Sequence, residues 1–130
     1  MNRPVDVVRR FLALVEEGRA AEASALLAED VVWRNTGLPT ARGGRVTGLL
    51  RDMERRQIGL ELRLEHIAGD GDIVLTQRTD VLRYKGWETA FWVCGTFEVR
   101  DELIVLWHDH FSMGNLLAAS LKGLAGTVRR

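Results

Sequence analysis

The hydrophobic period of the chain changes once along its length. Near the N-terminus, Val5, Val8, Leu12 and Val15 recur at three- and four-residue spacing, which lines one face of a helix. Pro4 suits its first turn, where a missing N–H costs nothing, and Gly18 suits its stop. A second short helix is expected from Ala20 to about Leu27. Val31 to Asn35 reads as a short strand, with Val31, Trp33 and Asn35 on one face. Thr36 to Gly44 holds three glycines and one proline and reads as a loop. A third helix then places Val46, Leu49, Leu50 and Met53 on one side.

After Gly59 the period becomes two. Leu60, Leu62 and Leu64 alternate with Glu61, Arg63 and Glu65, the pattern of a half-buried strand. A tight turn at Gly69-Asp70-Gly71-Asp72 leads into a long strand, Ile73 to Tyr84. Lys85-Gly86 can close a two-residue hairpin, from which Thr89 to Val99 returns. A turn over residues 100–102 leads into Leu103 to Phe111, and a last helix runs from Asn115 to about Leu124. Helices, then strands, then a helix predict an α+β fold. Its mixed or antiparallel sheet should be strongly curved and wrap a pocket, with helices packed across it. No repeat or linker interrupts the pattern, so residues 1–130 read as one domain.

Composition narrows the function classes. Apolar residues at 46% suffice for one buried core. The 18 basic and 18 acidic residues cancel, so no net field favours nucleic acid or an anionic membrane. One cysteine, Cys94, excludes a disulfide framework and a multi-cysteine zinc site. No run of apolar residues is long enough to span a bilayer, and the first residues do not read as a signal peptide. The cytoplasm is the expected compartment.

Candidate chemistry lies on the inward face of the strands. A two-residue loop at Lys85-Gly86 pairs Asp80 with Phe91 and Arg78 with Val93. A three-residue turn at 100–102 would pair Gly95 with Trp107 and Val93 with Asp109. Arg78, Val93 and Asp109 then form one row across three strands. With strands about 4.8 Å apart, an arginine can bridge Asp80 on its own strand and Asp109 two strands away. The same face carries Leu82, Phe91 and Trp107, so two carboxyl groups and one guanidinium project into apolar surroundings. Such a triad either locks the sheet or does chemistry.

At these residues the chain resembles the limonene-1,2-epoxide hydrolase family, which has the cone fold of nuclear transport factor 2 and ketosteroid isomerase. The resemblance rests on Val74-Leu75-Thr76-Gln77-Arg78-Thr79-Asp80-Val81-Leu82 and on Ile104-Val105-Leu106-Trp107-His108-Asp109-His110-Phe111. Trp33-Arg34-Asn35 followed by Leu38-Pro39 adds to it. It implies a cofactor-free, metal-free epoxide hydrolase acting on a small hydrophobic epoxide and water, commonly a homodimer. Asp109 matches the carboxylate that takes a proton from water, Asp80 the acid that protonates the epoxide oxygen, and Arg78 the bridge between them. Asn35 matches the amide that helps hold the water. Trp33 stands where the family usually has tyrosine; an indole N–H can donate to the water but cannot accept. Leu82, Phe91, Val93 and Trp107 are the expected pocket walls.

Two other readings use the same fold. An isomerase or cyclase would use one aspartate as its base and would need no arginine-bridged second carboxyl group. A non-catalytic ligand-binding or dimerisation module is told apart by whether the pocket is open and wet or collapsed around the triad. His108 and His110 should point away from Asp109; a zinc site there lacks a third ligand. Cys94 reads as a packing residue, and the outer face carrying Trp92, Cys94 and Thr96 as a surface for a second copy.

Overall fold

In a computed structural model, residues 3–129 are described, without the side chains of Met113 and 125–129. Helices α1 (Pro4–Glu16) and α2 (Ala20–Ser24) precede strand β1 (Leu27–Asn35) and the short β2 (Ala41–Arg42). Helix α3 (Gly44–Arg55) follows. Strands β3 (Gly59–Asp70), β4 (Ile73–Tyr84), β5 (Trp87–Arg100) and β6 (Leu103–His110) come next, and α4 (Met113–Arg129) closes the chain. The strands form one six-stranded sheet in the order β2-β1-β6-β5-β4-β3. All neighbours are antiparallel except β1 and β6, which run parallel. The sheet is therefore mixed, as the α+β expectation allowed.

The core lies between one sheet face and the first three helices. Val8, Phe11 and Leu12 of α1, with Val46 and Leu50 of α3, pack with Val31, Val74, Phe97, Ile104 and Trp107 of the sheet. Phe11 meets Trp107 edge-on at 5.1 Å between ring centroids. The loop expected at 36–44 contains the two residues of β2, which hydrogen-bond to β1 opposite Val32 and Trp33. The second helix is shorter than expected and gives way to β1 at Leu27.

Two details of register correct the sequence reading. The β5–β6 turn has two residues, not three: Arg100 pairs with Leu103. Asp101 and Glu102 both have positive φ, 51° and 64°, the sign pattern of a type I′ hairpin turn. A bulge then inserts Val105 into β6, between the pairs Val99–Ile104 and Glu98–Leu106. Ile104 therefore turns inward, where the strict alternation put Leu103 and Val105. Each change moves the register by one residue, and both move it the same way. The total of two returns Asp109 to the inward face but one pair along. It stands opposite Gly95, not Val93, and Trp107 stands opposite Phe97, not Gly95.

Candidate active site

Strand β4 supplies the centre of the site. Its inward positions include Thr76, Arg78 and Asp80, all buried, with Arg78 only 1% exposed. Arg78 donates from Nε to Asp80 Oδ1 at 2.7 Å and from Nη2 to Asp80 Oδ2 at 3.1 Å. The same Nη2 donates to Asp109 Oδ2 at 2.8 Å. One guanidinium thus holds two carboxyl groups 29 positions apart in sequence, 109 minus 80. The bridge expected from the sequence is present, although the row that suggested it is displaced by one pair.

The two carboxyl groups differ in what they leave free. Both Asp80 oxygens accept from the arginine fork. Asp109 uses Oδ2 alone, and its Oδ1 is buried with no partner. Burial pushes the pKa of Asp109 up, and Arg78 only partly opposes it; the nearby Asp80 charge adds to the rise. Burial likewise raises Asp80 against the pull of Arg78. Two ionised carboxylates and one guanidinium would leave a net negative charge in an apolar wall. One shared proton makes the cluster neutral, and the pair then titrates as a unit.

Strand β1 lies parallel to β6 and brings the remaining polar groups. Trp33 pairs with Trp107 and Asn35 with Asp109. The two indoles stack at 4.0 Å with an 8° interplanar angle. Neither indole N–H has a hydrogen-bond partner. The Trp107 N–H lies close enough to Asp109 to favour its ionised form, although outside hydrogen-bonding geometry. Beyond Asn35, the backbone N–H of Thr36 donates to the Asp109 carbonyl at 3.2 Å. The end of β1 is thereby tied to the strand that carries Asp109.

These groups border a cavity of about 260 Å³. All nine residues singled out from the sequence line it: Trp33, Asn35, Arg78, Asp80, Leu82, Phe91, Val93, Trp107 and Asp109. The sequence reading missed Val15, Leu38, Leu50, Met53, Leu60, Leu62, Phe111 and Leu116, which complete the apolar wall. Inward alternation marked Leu60 and Leu62, and helical spacing marked Leu50 and Met53. Nothing local marked Leu38 or Leu116 as cavity residues. His108 and His110 point to the other face, with rings 3.9 Å apart. Among the described residues, no group of three or more His, Cys, Asp or Glu is arranged to hold a metal.

Fold and site together define an α+β cone of the nuclear transport factor 2 kind, with an Asp-Arg-Asp cluster on its cavity wall. The sequence profile of the limonene-1,2-epoxide hydrolase catalytic domain matches residues 2–122, and the chain belongs to that family. Membership and site together make it an epoxide hydrolase. The chain is 40% identical over 122 residues to epoxide hydrolase EphG of Mycobacterium tuberculosis, covering 93% of this chain and 81% of that one. A solved structure of an epoxide hydrolase of this kind from M. tuberculosis superimposes with a TM-score of 0.91 at 38% identity. That match covers 97% of this chain and 95% of the other. A putative polyketide cyclase from Pseudomonas putida superimposes with a TM-score of 0.77 at 16% identity, over 92% and 99% of the two chains. That likeness is one of fold alone.

Proposed function

We propose that the protein adds water to a small hydrophobic epoxide in one step, giving a vicinal diol without metal or cofactor. The observation that carries this reading is the unpartnered Asp109 Oδ1 on an apolar cavity wall, beside an arginine that also holds a second carboxyl group. Epoxide opening needs a stronger nucleophile and a weaker leaving alkoxide at the same moment. Asp109, ionised, takes a proton from water through Oδ1. Asp80, protonated on a lone pair facing the cavity, gives its proton to the ring oxygen. Ring opening thus leaves the shared proton on Asp109 and Asp80 ionised, and return of that proton to Asp80 closes the cycle; Arg78 balances the one ionised carboxylate in both states. A cavity of this size beside the triad argues against a site collapsed into a structural lock. The second, arginine-bridged carboxyl group argues against a single-base isomerase.

Asn35 and Trp33 hold the attacking water on this reading. Asn35 sits beside Asp109, and the Trp33 N–H is a buried donor with nothing to donate to. With limonene-1,2-epoxide as the test substrate, wild type should form the diol. Trp33→Tyr should keep or raise the rate, because a phenol O–H still donates. Trp33→Phe should lower it by about 10-fold through loss of the donor. Equal rates in both variants would mean that position 33 only shapes the cavity.

A two-fold homodimer is the assembly we propose. Trp92 is half exposed on the outer sheet face, with Cys94 and Thr96 partly covered beside it. Only monomer in light scattering at micromolar concentration would contradict it. No helix among the described residues is long and apolar enough to cross a membrane, and the cytoplasm is the compartment we propose.

A further inference from the structure

The corrected register brings Thr76, Gly95 and Asp109 into one row across β4, β5 and β6. Thr76 stands two residues before Arg78 on the same inward face, 4% exposed. Its hydroxyl donates its one proton to the Gly95 carbonyl at 3.3 Å. A lone pair is thereby left for Arg78, whose Nη1 donates to Thr76 Oγ1 at 3.2 Å. The middle of the row has no side chain. A Cβ on Gly95 would lie 2.6 Å from Arg78 Nη1, 2.7 Å from Thr76 Oγ1 and 3.0 Å from Asp109 Oδ1. All three atoms occupy the room that the glycine leaves.

We infer that Thr76, seated in the gap at Gly95, is a positioning residue that fixes the plane of the Arg78 guanidinium between the two carboxyl groups. The guanidinium is planar, and each of its three nitrogens has a partner. Asp80 holds Nε, both aspartates hold Nη2, and Thr76 holds Nη1. The two aspartates engage Nε and Nη2 alone. Without Thr76 the plane could turn about the line through those two nitrogens, which would tilt the Nη2 N–H bonds out of line with Asp80 Oδ2 and Asp109 Oδ2. Thr76 touches neither water nor epoxide in this account, so its effect passes through Arg78 alone.

The inference rests on the reading of Arg78 as the bridge in epoxide hydrolysis, and the test separates the two. Thr76→Val keeps the shape and removes the acceptor. It should lower kcat by about 10- to 100-fold while KM moves less than about 3-fold, since a small misplacement of a positioned group has effects of that order. The acid limb of the kcat/KM profile should move to higher pH. Arg78 favours the ionised form of Asp109, so a loosened Arg78 lets the base hold its proton to higher pH. No other charged side chain lines the cavity among the described residues, so the limb reports on this cluster. Thr76→Ser should restore kcat and the limb to near wild type. Gly95→Ala should reproduce the loss and the shift by crowding the same atoms, and it carries the test if Thr76→Val does not fold. A merely structural Thr76 would lower the Tm and leave kcat and the pH limb in place. Wild-type kcat and pH limbs in folded Thr76→Val, or in Gly95→Ala, would overturn the inference. If Asp109→Asn remains active, the bridge reading fails first; if it is inactive and Thr76→Val behaves as wild type, only the role of Thr76 falls.

Discussion

Asp109→Asn should abolish turnover, by about 10⁴-fold, and leave the fold intact. The loss is at the upper end of what a positioned general base contributes, because an amide cannot take a proton from water. The fold should survive because an amide oxygen still accepts from Arg78 Nη2, the one bond that Asp109 makes within the triad. Asp80→Asn should fail as well, for the opposite reason: an amide N–H is far too weak an acid to protonate a departing alkoxide. The losses should not add in the double variant, because both carboxyl groups serve one step. Stability gives an independent check. Asp109 has a raised pKa in the folded state, so its contribution is fully present below the ordinary carboxylate range and is lost as pH rises through the folded value. Asp109→Asn escapes that loss. Its urea midpoint should therefore gain on that of wild type as pH rises from the ordinary carboxylate range through the raised folded value. A constant difference between the two would mean that Asp109 is not held above its ordinary pKa.

Arg78→Lys keeps the charge and should still lose about 100- to 1000-fold in kcat. Arg78 makes three bonds to two carboxyl groups from a rigid fork and a fourth to Thr76. An ammonium is a point charge on a shorter, flexible stem and cannot hold that set together. The protein should also unfold more easily, since an ammonium cannot satisfy two buried carboxyl groups and the Thr76 hydroxyl together. Thermal melting and steady-state rates on the same preparation separate the two effects. Wild-type kcat in Arg78→Lys would mean that charge alone suffices and that the fork geometry is incidental.

Much of this site could be read from residue types, and the rest needed the third dimension. Arg78 and Asp80 stand two apart on a strand with a clear alternation, so their shared inward face followed from the chain alone. Asp109 is the one charge on an otherwise apolar face, and it too was legible. Its row was not. Asp101 and Glu102 both adopt positive φ without a glycine, so the two-residue turn carried little sequence signal. The bulge at Val105 has no local signature at all. These two one-residue offsets sum to two, which preserved the face and displaced the pairing. The displacement hid Thr76 and Gly95. The expected register set Gly95 opposite Trp107, whereas the glycine lies opposite Asp109 and makes room for the Arg78 fork, Thr76 and that carboxyl group. The parallel pairing of β1 with β6 was also out of reach, because it depends on contacts between segments 74 to 77 residues apart. That pairing is what brings Trp33 and Asn35 to the site.

The central claim is that water attacks the epoxide directly, between an ionised Asp109 and a protonated Asp80. A single turnover with excess protein in oxygen-18 water tests it most directly. The account predicts one labelled oxygen in the diol and no label in the protein. An unlabelled first diol, with oxygen-18 recovered in the carboxyl group of Asp80 or Asp109, would show an ester intermediate and contradict it.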